Sequence, residues 1–451
     1  VIDRIIEFSA HNKFVVFVLV GMAVLGGLYS LGHITLDAIP DLSDTQVIVY
    51  SRWDRSPDIM EDQVTYPIIR AMLGAPKVKD IRGFSDFGFS YVYIIFEDGT
   101  DVYWARSRTL EYLSSVIPKL PQGVQVELAK DATAVGWVFQ YALVDTSGEH
   151  NLAELRSIQD WYLRYDLQSV PGVAEVAVVG GFVRQYQVNL DPSALLAYRV
   201  PLEKVVEAIR QGNNDVGGRL VEFSGREYMV RGRGYIRSVA DVENIVVSTN
   251  PETGTPLLLR HLGSVTLGPD IRRGVGELNG QGETVGAIVI MRYGENALKV
   301  IERVKARIAE IESGLPPGVK IVTTYDRSDL ILRSIDTLKG TLIEELAIVS
   351  LVILVFLWHI PSAIIPILTI PITVIISFIP MYGIKLTANI MSLGGIAIAI
   401  GAMVDAAIVV VEQTHKKLEQ WDAEGRPGDF KDVVIGAVKE VGGPSFFALL
   451  V

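Results

Sequence analysis

The sequence predicts an α-helical membrane protein with a large external α+β region of tandem split-βαβ (ferredoxin-like) subdomains. Three observations carry that expectation. The 451 residues are 49% hydrophobic and 21% charged, with a mean hydropathy of +0.33, which fits no soluble average. The long uncharged runs lie near the two ends, bracketing the mixed-composition stretch from Ile34 to Lys339. Within that stretch, strand-like and helix-like pieces follow the order β-α-β-β-α-β, and the pattern then begins again with one additional strand ahead of an insertion.

The elements follow in order. Phe14 to Leu31 carries no charge and is long enough to cross a bilayer. A cleaved leader has a shorter apolar core and a small-residue cleavage site, neither of which is present, so an uncleaved span is expected. Gln46 to Tyr50 reads as a strand, Pro57 to Leu73 as a helix, Val78 to Ile81 and Ser90 to Phe96 as strands, Val102 to Ile117 as a helix and Val124 to Leu128 as a closing strand. The second unit has strands at Phe139 to Leu143, Val173 to Val179, Tyr186 to Asn189, Val285 to Met291 and Val319 to Thr324. Its helices are Leu152 to Gln168 and Leu298 to Ile311. A Gly-rich, hairpin-prone insertion from about Leu190 to Pro269 interrupts it.

Three apolar runs follow: Ala347 to Trp358, Pro361 to Ile384 and Ile390 to Val411, with a turn at His359. A last run begins near Pro444 and reaches Val451, too few residues to span hydrocarbon, so the chain reads as the first part of a longer protein. The His415-Lys416-Lys417 cluster after the fourth span places that end, and the N-terminus, in the cytoplasm. The expected divisions are 1–33 (first span), 34–134 (first external subdomain), 135–189 and 270–330 (second subdomain), 190–269 (insertion), 331–412 (spans two to four), 413–442 (cytoplasmic segment) and 443–451 (start of a fifth helix).

Several chemistries are excluded. With no Cys, disulfides, zinc-thiolate sites and Cys nucleophiles cannot occur. No phosphate-binding Gly-Lys-Ser/Thr loop is present, and a net charge of −11 argues against nucleic acid as a partner. The informative residue is Asp405, a carboxylate in an otherwise apolar helix. Such a charge costs about 2.5 to 3.5 kcal/mol on the insertion scale and marks a functional site, often a proton relay; the alternative is a static buried ion pair. Glu412 returns to within about 20° of the same helix face and reads either as the next proton acceptor or as an interfacial end to the helix. Gly394, Gly395 and Gly401 suit close helix approach, so this span is expected to pack inside a bundle.

The run from Asn389 through Asp405 to Val409 resembles the fourth transmembrane helix of heavy-metal efflux pumps of the resistance-nodulation-division (RND) superfamily. Asp37-Ala-Ile-Pro, Gln63-Val-Thr-Tyr-Pro, Arg82-Gly-Phe-Ser, Tyr91-Val-Tyr-Ile-Ile-Phe, Tyr103-Trp-Ala-Arg, Gly136-Trp-Val and Thr323-Thr-Tyr-Asp-Arg-Ser agree, so the resemblance covers essentially the whole chain. It implies a homotrimer in the bacterial inner membrane. Each half would carry two periplasmic porter subdomains and a docking subdomain, here 190–269, with a periplasmic adaptor protein and an outer-membrane channel as partners. It also implies a secondary proton antiporter rather than an enzyme, with Asp405 in the relay and a metal ion as cargo.

Divalent-cation members carry a second Asp six positions before the relay acid, where this chain has Ala399; that resembles the copper/silver branch. Soft Cu(I) and Ag(I) take thiolate or thioether ligands, leaving methionine to a chain without Cys. Met391 and Met403 stand where copper exporters place methionines along a metal path, though both also suit gap filling in a core. Ile271 and Val410 occupy positions where that branch usually has Met, and Gln413 one where Asn is usual. A divalent-cation exporter (Zn, Co, Cd), an RND drug pump and a membrane-anchored interaction module remain the other readings.

Overall fold

The computed structural model describes residues 2–250, 253–272, 274–357 and 360–451. It opens with α1 (Ile2–His11), an amphipathic helix that the hydropathy pattern did not signal, followed by α2 (Lys13–His33). At about 1.5 Å per residue, α2 can cross the hydrocarbon layer. Its Gly27 lies against a later membrane helix: a Cβ there would stand 2.3 Å from the Ile375 carbonyl oxygen. Gly27→Leu is therefore expected to part the two helices, seen as a fall of several degrees in the thermal unfolding midpoint in detergent, since overpacking costs about 1 to 3 kcal/mol.

The first module comprises β1 (Gln46–Arg52), the continuous helical stretch α3 (Pro57–Met60), a π-turn (Glu61–Thr65) and α4 (Tyr66–Met72), then β2 (Val78–Asp86), β3 (Phe89–Phe96), α5 (Val102–Val116) and β4 (Gln125–Leu128). Its sheet runs β2-β3-β1-β4, all pairs antiparallel, with Val49 opposite Val92. Strand alternation turns Val47, Val49, Val92, Ile94 and Phe96 inward against Met60, Val64, Ile68, Ala105 and Leu113.

The second module holds β5 (Trp137–Asp145), α6 (Leu152–Ile158), α7 (Arg164–Gln168) and β6 (Val173–Gly180). There the chain leaves through β7 (Arg184–Leu190), α8 (Pro192–Ala197), α9 (Leu202–Gly212), β8 (Val216–Phe223), β9 (Arg226–Gly232), α10 (Val239–Glu243), β10 (Val246–Thr249), β11 (Pro256–Leu258) and β12 (Gly263–Pro269). It returns as β13 (Val285–Met291), α11 (Ala297–Ile311) and β14 (Val319–Asp326), completing a sheet of order β14-β5-β13-β6. One expectation is corrected here. The Tyr186 to Asn189 strand does not join this sheet; β7 pairs along its length with β12, Val188 opposite Val265, and forms the neck of the insertion.

Four helices close the chain: α12 (Arg327–Leu357), α13 (Ile360–Gly383), α14 (Ile390–Ala423) and α15 (Phe430–Leu450). Among the described residues, α2, α14 and α15 are long and apolar enough to cross a membrane, and Ile367–Gly383 is a shorter apolar stretch. The expected turn at His359 and the end of the second run at Trp358 lie outside the described residues. Two boundaries differ from expectation. Helix α14 runs on to Ala423, and α15 begins at Phe430 with the Asp429 carboxylate capping Lys431 N–H, so 413–442 is mostly helix and the fifth helix starts well before Pro444. Ion pairs of Glu412 with Lys416 at 2.7 Å and Lys417 with Glu440 at 3.1 Å, and a His415–Glu419 side-chain contact at 3.2 Å, sustain these polar turns along and between helices.

Candidate functional site

The site is built on α14. Asn389 caps it, its side-chain oxygen accepting from the Met391 and Ser392 N–H groups, while Ser392 Oγ accepts from the Asn389 N–H. The chain just past α2 holds this end: Asp37 N–H donates to Ala388 O at 3.1 Å, Ala388 N–H to Thr35 O, and Ile390 N–H to Ala38 O. One face of α14 is covered. Ile400 and Val404 pack with Val349 of α12 and Ile370 of α13, and Leu393 with Phe378 and Met381.

The opposite face is open. Met391, Gly394, Gly395, Ile398, Asp405, Val409 and Glu412 are all exposed and recur at helical spacing, forming one stripe. Met391 and Asp405 are about 21 Å apart along the axis. A Cβ built on Gly394, Gly395 or Gly401 meets nothing within 4 Å. The expectation that these glycines pack against a neighbour is therefore not met among the described residues, where α12 and α13 cover the Leu393, Ile400 and Val404 side of α14. Among the described residues no cation stands within ion-pair distance of Asp405.

The sequence-predicted residues divide accordingly. Asp405, Glu412 and Met391 share the stripe, with Met391 70% exposed. Met403 lies on the other side, half-buried against the cluster of Val349, Ile370, Ile400 and Val404. Glu412 is tied to Lys416 as an exposed ion pair at 2.7 Å. Among the described residues no group of three or more His, Asp or Glu side chains is placed to hold a metal ion.

Two polar junctions were missed. Asp131, with its side chain 10% exposed, pairs with Arg292 Nη1 at 2.8 Å and accepts from the Tyr103 hydroxyl at 3.1 Å, bolting the first module to the second. Burial and the neighbouring carboxylate push the Tyr103 phenol up from its ordinary value. Arg327 meets Asp37 at 3.3 Å, both nearly buried. Burial raises the Asp37 carboxyl, against the lowering pull of the Ala38 N–H and of Arg327. Each ion pair joins residues more than a hundred positions apart, so no spacing rule finds it; the only signal was that Asp37, Tyr103 and Arg327 fall in the family-like stretches.

Long apolar helices, with strand-rich modules between the first and the rest, define a membrane protein. The chain belongs to the AcrB/AcrD/AcrF family of RND proteins, whose model matches residues 5–451. It is 49% identical to the cation efflux system protein CusA of Escherichia coli (strain K12) over 100% of this chain and 44% of that protein. It is 36% identical to the cobalt-zinc-cadmium resistance protein CzcA of Cupriavidus metallidurans, over 100% of this chain and 43% of that protein. Among solved structures, a heavy metal efflux pump in its second crystal form superposes with a TM-score of 0.82 at 32% identity, covering 98% of this chain and 43% of the other. The chain thus spans less than half the length of these relatives.

Proposed function

We propose that this chain is part of a proton-driven exporter of heavy-metal ions, Cu(I) or Ag(I) before others. The observation that carries it is Asp405, one carboxylate in the apolar, glycine-bearing stripe of α14. When another helix covers that stripe, burial disfavours the charged form, so a change of cover loads or releases a proton. The strand orders β2-β3-β1-β4 and β14-β5-β13-β6 support reading the two sheets as split-βαβ, ferredoxin-like porter subdomains whose rearrangement moves the metal. The stretch from β7 to β12 is the docking subdomain. The protein works as a homotrimer in the bacterial inner membrane, with a periplasmic adaptor and an outer-membrane channel, and it is a secondary transporter, not an enzyme.

Ala399 in place of the divalent-type Asp, and the higher identity to CusA than to CzcA, favour soft monovalent cargo taken from cytoplasm or periplasm. Ile271 and Val410, where methionine is expected for that cargo, are the observations behind the alternative, a Zn/Co/Cd exporter. Growth of a deletion strain carrying the native gene decides between them: protection against silver but not zinc salts is expected. Protection against dyes and detergents alone would mark a drug pump.

The geometry separates the two methionines. Met391→Leu is expected to lower Ag(I) transport about tenfold, the loss of roughly 1.4 kcal/mol of transition-state or site affinity. Met403→Leu, a volume-conserving change in a packed cluster, is expected to cost less than about 1.5 kcal/mol of stability and to leave transport unchanged. Radioactive silver uptake into inverted vesicles measures both.

A further inference from the structure

Four sequence stretches, distant along the chain, meet at the foot of the sheet modules. Arg327 is the first residue of α12 and follows β14 with no loop between them. Its side chain is 6% exposed. Nη1 donates to Val135 O at 2.6 Å and to Asp37 Oδ1 at 3.3 Å, and Nη2 donates to Trp137 O at 2.7 Å. The guanidinium thus grips both the turn that links the two modules and the segment leaving α2. Asp37 in turn donates its N–H to Ala388 O, next to the cap of α14, and Leu36 bridges Ala388. An apolar seam backs this joint: Leu36 and Ile335 each pack both on the second module's core and on the cluster of Ile34, Phe378, Met381 and Leu393 among the membrane helices.

We propose that the Arg327–Asp37 pair is the positioning joint that passes displacement of α14 to the two sheet modules. This rests on the export reading above and deepens it by naming how proton binding and cargo movement are linked. A planar guanidinium forked among acceptors from separate segments fixes direction as well as distance, which a flexible ammonium cannot do. A shift of the α14 cap pulls on Asp37. Arg327 delivers that pull to Val135 and Trp137, between the modules, and to β14 through the unbroken α12 junction. The coupling sits on discrete packed contacts, as transmission between remote sites requires.

The experiment reconstitutes the native gene product in proteoliposomes and reads Ag(I) transport and internal pH together, for Asp37→Asn, which keeps the shape and drops the charge, and for Arg327→Lys, which keeps the charge and drops the fork. The joint predicts that proton movement stays within about twofold of the unmodified protein, that the half-saturating Ag(I) concentration is unchanged, and that metal moved per proton falls about fivefold or more. A metal-to-proton ratio unaltered in both variants overturns it. So does a parallel loss of both fluxes with a lowered unfolding midpoint, the mark of a merely structural pair. If the unmodified protein moves no protons when given Ag(I), the export reading fails instead, and the two failures are distinct.

Discussion

Asp405→Asn is expected to leave expression and assembly intact and to reduce metal-coupled proton flux by about 100-fold or more, the scale on which a positioned proton-transfer group contributes. The amide is nearly isosteric with the carboxyl and cheaper to place among apolar residues, so the helix inserts at least as well. It cannot titrate. Since Asp405 shares its stripe with no second acid until Glu412, two turns further on, nothing on α14 can substitute for it. Collapse of an imposed pH gradient on adding Ag(I) to proteoliposomes, together with silver resistance in cells, measures the effect; retained resistance would refute the relay role. Glu412→Gln is the instructive contrast. That carboxylate is exposed and paired with Lys416 on the next turn, where such pairs contribute about 0 to 1 kcal/mol, so flux within about threefold of the unmodified protein is expected.

What could be read from the sequence follows from which forces act locally. The strands of both modules were legible because each buries one face, so Val47, Val49, Val92 and Ile94 alternate with exposed or half-buried neighbours. Helix α2 was legible from its length without charge. The polar ends of α14 and the start of α15 were not, because hydropathy marks where lipid is and not where a helix stops: Glu412, Lys416 and Glu419 are as helical as Val404. The placing of Tyr186 to Asn189 failed for a related reason. Alternation identifies a strand but not its partner, and only the return of Gly263–Pro269 alongside shows that β7 belongs to the neck. Within the site, Asp405 stood out because its cost is local, whereas Asp37, Asp131, Arg292 and Arg327 pay theirs to partners that the fold alone supplies.

Leu in place of Gly395 is expected to lower transport about tenfold or more while leaving the packing of α12, α13 and α14 on one another unchanged. The geometry makes the two effects separable. A Cβ on Gly395 meets nothing within 4 Å among the described residues, unlike Gly27, whose added atoms would run into Ile375. Among the described residues there is room for the larger side chain. Small residues on a membrane helix let another backbone come close, and filling that space forces the partner outward, at about 1 to 3 kcal/mol for an overpacked contact. Leucine facing lipid carries no such penalty. The readout is therefore the pair of values for the native gene product: an unfolding midpoint that falls by several degrees, with Ag(I) flux down about tenfold or more, if the stripe is a contact face. Full activity and an unshifted midpoint would mean that the stripe faces hydrocarbon. Asp405 would then stand in lipid without a covering helix, at the insertion cost that makes such residues rare. The proton site and the glycine stripe thus stand or fall together: the same neighbour that needs room at Gly395 is the one that must desolvate Asp405.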